Sequence, residues 1–262
     1  MCLYYLPMCL ILFALQQHKD YPLIVIANRD EFYARPTRPA HWWDDHAQIF
    51  AGRDLTAQGT WMGVTRQGRF AAVTNVREPG GMSPGERSRG DLTREFLQNA
   101  IAARDYLEQL QPEQHRYSGF NLLVGDENEL WFSSNRQPGI RKIEPGVYGV
   151  SNGAFDEPWP KLKTGKQALA HTLQTTTDSE QLMQILGDKD QVADHLLPET
   201  GVETSMERLL SSRFIHSAEY GTRASTLIRY SDRNSIEFIE KNYDADGSQG
   251  EPVFEHFSII PG

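Results

Sequence analysis

The chain has 262 residues, 39% hydrophobic and 23% charged, a composition typical of a globular protein with a buried core rather than of a disordered chain. Its 26 basic and 35 acidic residues give a net charge of −9, which disfavours a polyanion, so we expect no nucleic-acid partner. The two cysteines, Cys2 and Cys9, are too few for a disulfide framework or a cysteine-based zinc site, and we expect no metal.

The N-terminal residues 1–15 are almost wholly apolar but are not typical of a secretion signal. No Lys or Arg precedes the apolar run, Pro7 interrupts it, and it is shorter than the roughly 20 residues that cross a bilayer. The pattern instead predicts a buried strand at residues 9–15 after a short extension. We therefore expect no membrane span and a cytoplasmic location.

Further strands are predicted through the first half of the chain from short apolar runs bounded by turn residues. They lie at residues 23–27, 49–52, 60–65 and 70–75. Gly68 indicates a tight hairpin between the last two. Asp91 is a suitable N-cap for a helix at residues 92–104, where apolar side chains recur at helical spacing.

The second half contains two strand groups with helices between them. Strands are predicted at residues 121–125, 130–133, 148–151, 214–217, 225–230, 235–243 and 253–259. One helix is predicted at residues 159–173. A second follows a Thr-x-x-Glu capping box at residues 177–180, and residues 198–205 are predicted to be a loop.

The predicted elements indicate one α+β domain over residues 1–262, because no repeat or flexible linker divides the chain. Two stacked, mainly antiparallel sheets covered by helices accommodate so many strands.

Four polar segments adjoin the predicted strands: residues 28–31 (Asn-Arg-Asp-Glu), Asn75, residues 151–153 (Ser-Asn-Gly) and residues 220–223 (Tyr-Gly-Thr-Arg). Taken singly, each is readily interpreted as a turn or a capped strand end. Together, amide and guanidinium groups gathered at strand ends are suited to stabilise an oxyanion.

Seven segments resemble, in order, blocks of the NRDE family, also called the transport and Golgi organisation protein 2 family. They are MCLILFA at 8–14, IANRDEFYARPT at 26–37, GTWMGVTRQGRFAAVTN at 59–75, SRG at 88–90, GFNLL at 119–123, YGVSNGAFDEPWPK at 148–161 and YGTRASTLI at 220–228. The resemblance covers nearly the whole chain. It implies a fold similar to the N-terminal-nucleophile hydrolases, a four-layer α-β-β-α sandwich.

The resemblance also implies a reaction. In that superfamily a Cys, Ser or Thr becomes the first residue, and its α-amine, with a pKa of about 8, is the general base. By similarity to cysteine acylases that act on penicillin V and conjugated bile acids, the thiol of Cys9 would be the nucleophile. Asp30 would orient the cysteine amine, and Arg29 would lie beside the thiol.

The same similarity assigns three more residues. Asn75 and Asn152 would donate hydrogen bonds to the oxyanion, and Arg223 would stabilise charge at the nucleophile. Such hydrolysis of an amide or thioester bond in a small-molecule substrate requires no cofactor.

Two other functions remain open. The family's association with haem trafficking and with lipid or acyl-CoA metabolism implies, as the alternative, a non-catalytic protein that binds and carries haem or a lipid. An interaction protein is the third interpretation, with a partner surface formed by Trp42, Trp43, Trp61 and Trp159. Such residues are more often core or pocket wall.

Two Met-Cys pairs compete for the position of the nucleophile. After Cys2 the apolar run is broken by Pro7, whereas Cys9 is followed by the uninterrupted LILFAL. We therefore interpret residues 1–7 as an extension from a misassigned start codon. The protein would begin at Met8, whose removal exposes Cys9.

This assignment predicts that the protein purified from its native source begins at Cys9. Its intact mass should lack residues 1–8, because removal of Met8 is what frees the amine. A native mass that retains residues 1–7 would contradict the assignment.

Overall fold

The computed structural model describes residues 8–77, 85–247 and 250–260, so the expected extension at residues 1–7 lies outside the described part. Thirteen strands are present there: β1 Met8–Leu15, β2 Leu23–Phe32, β3 Thr37–Trp42, β4 Ile49–Asp54, β5 Met62–Thr65, β6 Phe70–Asn75, β7 Phe120–Gly125, β8 Leu130–Ser134, β9 Gln137–Ile143, β10 Gly146–Val150, β11 Tyr220–Ser231, β12 Ser235–Asn242 and β13 Val253–Ser258. The α-helices are α1 Arg89–Gln98, α2 Ala103–Leu110, α3 Pro160–Thr172, α4 Ser179–Gln184 and α5 Thr204–Leu209.

The strands form two sheets. Sheet A has the order β10-β1-β2-β11-β12-β13, and sheet B is the meander β3-β4-β5-β6-β7-β8-β9. Neighbouring strands are antiparallel in both sheets. Gly68, with φ +83°, provides the left-handed backbone in the turn from β5 to β6, as predicted.

Three apolar clusters define four layers. One lies between the sheets and includes Phe13 and Phe70. A second joins sheet B to α1 and α2, and a third joins sheet A to α3 and α4 through residues such as Leu12 and Leu162. The predicted α+β fold of two stacked antiparallel sheets covered by helices is confirmed. Because both faces of sheet A are buried, its central strands are continuous apolar runs rather than alternating ones.

The segment Asn-Arg-Asp-Glu at residues 28–31 is part of β2, and the interpretation of it as a turn is wrong. This strand continues to Phe32 and pairs on both sides, with β1 and β11. Burial explains why the polar residues persist in it: each finds a partner inside the fold, as described below.

Other differences follow from exposure and from local capping. Strands β3 and β9 were not predicted, because they are sheet edges with many exposed residues and no apolar pattern. The helix predicted at residues 92–104 is two helices, and α1 begins after Ser88, whose hydroxyl accepts the N–H of Gly90. Asp178 is the N-cap of α4, accepting the N–H of Gln181.

Two predictions near α5 are also corrected. The loop predicted at residues 198–205 ends early, because α5 starts at residue 204. The strand predicted at residues 214–217 is reduced to a single bridge between His216 and Gly221.

Across the described ranges, no helix is long and apolar enough to cross a membrane. The cytoplasmic location stays a prediction.

The packing of α3 on β1 predicts the cost of a cavity. Leu12 is 0% exposed, whereas Leu55 is 44% exposed. Leu12→Ala should lower the free energy of unfolding by about 2–5 kcal/mol, because it removes buried methyl groups and leaves a void. Urea unfolding measures this, with Leu55→Ala as the matched control. Equal effects of the two variants would contradict the assignment of Leu12 to the core.

Candidate functional site

The candidate site is a cavity of about 370 Å³ where the ends of the two sheets meet. Its described wall consists of Cys9, Arg29, Asp30, Glu31, Arg35, Asp54, Thr60, Trp61, Val73, Asn75, Gly85, Glu86, Arg87, Ser88, Arg89, Gly90 and Ser118. Four arginines and four acids are among these residues, so the wall is polar and balanced in charge. Its volume lies within the range of small-molecule sites.

The register of β1 against β2 places Cys9 in this wall. Cys9 lies opposite Arg29, and Met8 lies opposite Asp30. Because side chains alternate along a strand, Cys9 shares its face with Ile11, which packs in the cluster between the sheets. The thiol therefore lies on the inner face of sheet A. It lines the cavity at the start of β1, where the pairing with β2 begins.

Arg29 faces sheet B from the same side of sheet A. Its guanidinium carbon lies 4.4 Å from the ring centroid of Trp61. Its Nη2 lies 3.6 Å from Glu31 Oε2 and 3.9 Å from Asp54 Oδ2. Arg29 is 6% exposed, and its Nη1 has no hydrogen-bond partner among the described residues. The side chain thus keeps donor capacity at the cavity wall.

Asn28 and Asp30 lie on the opposite face of β2, toward the helices. The Asn28 amide donates to the carbonyl oxygens of Leu186 and Arg213, at 3.0 and 2.8 Å. Asp30 is 1% exposed. Its Oδ1 accepts a hydrogen bond of 2.7 Å from Thr222 Oγ1, and its Oδ2 has no partner within the described ranges.

Burial and charge set the ionisation of Asp30 and Cys9. Burial raises the pKa of Asp30, and the ammonium of Lys161 opposes this most strongly. Burial and the nearby Asp30 carboxylate raise the pKa of the Cys9 thiol to about 12, against the lowering effect of Arg29. With Met8 attached, the nitrogen of Cys9 is a peptide amide and is not a base. The thiol is then protonated at neutral pH.

Asn75 ends β6 and lines the cavity, opposite the cysteine strand. Asn152 is not among the residues of the wall; its Nδ2 donates to the Asn75 carbonyl oxygen at 3.0 Å. Beside it, the Ser151 hydroxyl donates to the Cys9 carbonyl oxygen at 2.9 Å. Residues 151 and 152 therefore connect β1 of sheet A to β6 of sheet B.

Arg223 is also outside the cavity wall. It occupies a register shift of β11, between Thr222 and Ala224. Its Nη1 lies 2.8 Å from the carbonyl oxygen of Phe32, 3.0 Å from that of Tyr33 and 3.1 Å from that of Arg35. Those contacts hold the chain where it leaves β2. Cys9, Arg29, Asp30 and Asn75 thus lie together in the cavity wall, whereas Asn152 and Arg223 lie outside it.

Two residues of this region were not predicted from the sequence. Arg89 begins α1 and lines the cavity, and burial lowers its pKa to about 10. Lys161 is 5% exposed in the first turn of α3, where burial lowers its pKa. A positive charge in the first turn of a helix is unfavourable for the helix dipole. This placement is the feature of the sequence that could have singled out Lys161.

Metal ligands are not clustered at this site. The described residues contain no group of three or more His, Cys, Asp or Glu side chains that could hold a metal ion.

The family model of Transport and Golgi organisation 2 matches residues 8–245. The chain belongs to this family. It is similar to the Transport and Golgi organization 2 homologue of Mus musculus, with 30% identity, and to that of Bos taurus, with 31% identity. Each alignment covers 96% of this chain and 99% of the relative.

Two solved structures are similar over most of the chain. The C2A mutant of conjugated bile acid hydrolase from Clostridium perfringens is 8% identical, with a TM-score of 0.42, and the match covers 96% of this chain and 84% of that one. A Caenorhabditis elegans N-acylethanolamine-hydrolyzing acid amidase orthologue is 12% identical, with a TM-score of 0.45 and coverage of 84% and 92%. The prediction of a single domain over residues 1–262 stays a prediction.

The raised pKa of Cys9 predicts its alkylation behaviour. In a Cys2→Ala chain that keeps Met8, the rate constant with iodoacetamide should rise about tenfold per pH unit well past pH 9, because only the thiolate reacts. The same chain unfolded in urea is the control, and its rate should level off near the ordinary thiol pKa. A plateau near pH 9 in the folded protein would contradict this environment for Cys9.

Proposed function

We propose that this protein is an acyl hydrolase of the N-terminal-nucleophile type, in which the Cys9 thiol cleaves an amide or thioester bond. The nucleophile requires a base, and with Met8 attached the nitrogen of Cys9 is a peptide amide that cannot serve as one. Release of Met8 would convert the nitrogen of Cys9 into an α-amine, whose pKa of about 8 suits proton exchange at neutral pH.

The register of β1 and β2 is the observation that carries this proposal. Asp30 lies opposite Met8, one position beyond Cys9 on the paired strand. A chain that begins at Cys9 would present its amine toward Asp30, whose Oδ2 has no hydrogen-bond partner in the described structure. Leaving a buried carboxylate oxygen without a hydrogen-bond donor is costly, and an N–H group of the freed amine would supply that donor.

The reaction balances with these groups alone. The amine of Cys9 takes the thiol proton, the sulfur attacks the acyl carbon, and the amine returns a proton to the leaving nitrogen or sulfur. Water then hydrolyses the acyl-cysteine thioester with the amine as base, releasing the carboxylic acid and restoring the thiol. No cofactor enters these steps.

The remaining predicted residues receive different roles under this proposal. Asn75, in the cavity wall, is the candidate donor to the oxyanion. Asn152 positions Asn75 through the bond to its carbonyl oxygen. Arg29 stabilises negative charge at the thiol. Arg223 acts at longer range by holding the end of β2.

Non-catalytic binding is the second candidate, and the thiol pKa of about 12 favours it as long as Met8 remains attached. A protonated, buried thiol is a poor nucleophile and behaves as a small apolar side chain. The cavity then holds a ligand without transforming it. The family's association with haem trafficking and with lipid or acyl-CoA metabolism makes haem, a lipid or acyl-CoA the candidate ligand.

Turnover separates the two candidates. A chain started at Met8, from which Met8 is removed, should hydrolyse chromogenic acyl amides or acyl thioesters, and Cys9→Ala should lower kcat by about a thousandfold or more. In the full-length chain, Cys2→Ala is the matched control and should behave as its parent. Unchanged turnover in Cys9→Ala would overturn the mechanism. No turnover, together with a Soret shift on titration with haem, would favour binding.

A further inference from the structure

A small apolar crevice adjoins the cavity beside Cys9. Its wall shares Cys9, Arg29, Trp61 and Val73 with the wall of the cavity. The free volume of the crevice is about 10 Å³, whereas that of the cavity is about 370 Å³. Cys9 therefore lies where a roomy space meets a narrow one.

The two spaces differ in chemistry. Beyond the shared residues, the crevice is lined by Ile11, Ala27 and Met62, which are all buried in the apolar cluster between the sheets. Its uncharged polar lining residues are Asn28 and Thr226, and the Asn28 amide already donates to two main-chain carbonyl oxygens on the helix-facing side of sheet A. The crevice thus extends from Cys9 into the core, whereas charged side chains dominate the wall of the cavity.

Trp61 forms a fixed side of the crevice. A Cβ atom added at Gly52 would lie 2.2 Å from Trp61 Cη2, so the ring packs directly on the backbone of β4. The Trp61 carbonyl oxygen accepts the N–H of Val73 at 2.8 Å, and the guanidinium carbon of Arg29 lies 4.4 Å from the ring centroid. The crevice can widen at Trp61 only if these contacts are broken.

The volume of the crevice limits the group that it can hold. A space of about 10–15 Å³ is what one water molecule needs, so the crevice has room for about one methyl group. When an acyl group is bonded to the Cys9 sulfur, its carbonyl carbon is next to the sulfur and its alkyl tail starts one bond further away. The methyl of an acetyl group can therefore enter the crevice. A longer alkyl chain would have to lie among the arginines and carboxylates of the cavity and displace their water, which is unfavourable.

We infer that the crevice is the acyl subsite of the cysteine site and that it selects acyl groups of about two carbons. This inference rests on the proposed function and names its substrate class, a small acyl group such as acetyl in amide or thioester linkage. The leaving group then occupies the larger cavity, whose charged wall suits a polar amine or thiol.

An ordinary packing defect is the competing explanation, since protein cores contain a few small voids. Met62 separates the two explanations, because it lines the crevice and not the cavity. Met62→Ala deletes the side chain beyond Cβ and enlarges the crevice, whereas Met62→Leu keeps its volume. Val64→Ala is the matched control, because Val64 is buried on the same strand and in the same cluster but lines neither space.

Two further variants keep the test open if Met62→Ala does not fold, as judged by circular dichroism and thermal melting. Met62→Val removes less volume and should act in the same direction. Ala27→Val acts in the opposite direction, because it adds methyl groups to the wall of the crevice.

The first readout is turnover by the chain that begins at Cys9. N-acetylcysteamine thioesters of acetyl, butyryl and octanoyl groups share one leaving group, so only the acyl chain differs. For the parent, kcat/KM with the acetyl compound should exceed that with either longer one by about tenfold or more. Met62→Ala should move the optimum to butyryl, and Ala27→Val should lower kcat/KM for acetyl by about tenfold. Met62→Leu and Val64→Ala should keep the order of the parent.

The second readout needs no turnover. An alkyl methanethiosulfonate transfers its alkylthio group to the Cys9 thiolate, which forms a disulfide and releases methanesulfinate. The methyl of the methyl reagent then lies two bonds from the Cys9 sulfur, as it does in an acetyl thioester. In the folded Cys2→Ala chain the methyl reagent should react about tenfold faster than the butyl reagent, relative to the same chain unfolded in urea. Met62→Ala should remove this preference, and Val64→Ala should keep it.

Three results would rule out the inference. One is a parent that hydrolyses the acetyl and octanoyl thioesters with equal kcat/KM or reacts equally with the methyl and butyl reagents. Another is an unchanged chain-length preference in a folded Met62→Ala. The third is the same change of preference in Val64→Ala, because the effect would then come from any loss of core volume.

The two proposals can fail separately. If the methyl reagent is preferred and Met62→Ala removes the preference, but no acyl compound is hydrolysed, the hydrolase function fails and the small-group subsite stands. If hydrolysis depends on Cys9 but long acyl chains are accepted as readily as acetyl, the function stands and the crevice is only a packing defect.

Discussion

The antiparallel pairing of β1 with β2, inside a sheet covered on both faces, is the constraint on which the rest of the structure depends. In the apolar halves of these strands both faces are buried, so a slip by one residue would still bury apolar side chains. The polar half does not tolerate a slip, because it would move Asn28, Arg29 and Asp30 to faces that lack their partners. Arg29 and Asp30, which belong to the cavity wall, therefore also help to select the strand register.

Two groups of buried or partly buried charged side chains lie on opposite sides of sheet A. Toward sheet B lie Arg29, Glu31, Arg35 and Asp54, and toward the helices lie Asp30, Lys161, Arg77 and Glu207. Each group contains two positive and two negative side chains. Desolvation offsets most of the attraction in buried pairs, so such groups contribute little net stability compared with apolar residues of the same volume. Arg29, Asp30, Glu31, Arg35 and Asp54 all line one cavity, and charged groups gathered at one place despite this cost are typical of a functional site.

The two walls of the cavity belong to different sheets, and apolar packing alone would allow one sheet to shift relative to the other. Ser151 and Asn152 reduce that freedom by bonding to the main chain of Cys9 in sheet A and Asn75 in sheet B. Thr74 adds a bond from its hydroxyl to the Ser151 carbonyl oxygen at 2.6 Å. Directional bonds to the backbone hold distances between groups more tightly than side-chain packing does, which suits a site that has to align a nucleophile with an oxyanion donor.

The sequence by itself determined the architecture and the chemical inventory. Continuous apolar runs locate the central strands β1, β6 and β7, because burial on both faces leaves a pattern that a single chain displays. The edge strands β3 and β9 leave none, because one side of each is solvated.

Only the tertiary structure decided which polar residues meet. Asn75 reaches the cavity while Asn152 and Arg223 bond to main-chain oxygens, and Lys161 on α3 donates to the Leu210 carbonyl oxygen at the end of α5. Such contacts depend on the order of strands in the sheet and on which face each side chain takes. Local sequence patterns carry neither, because they report burial along one element and not its neighbours across the fold.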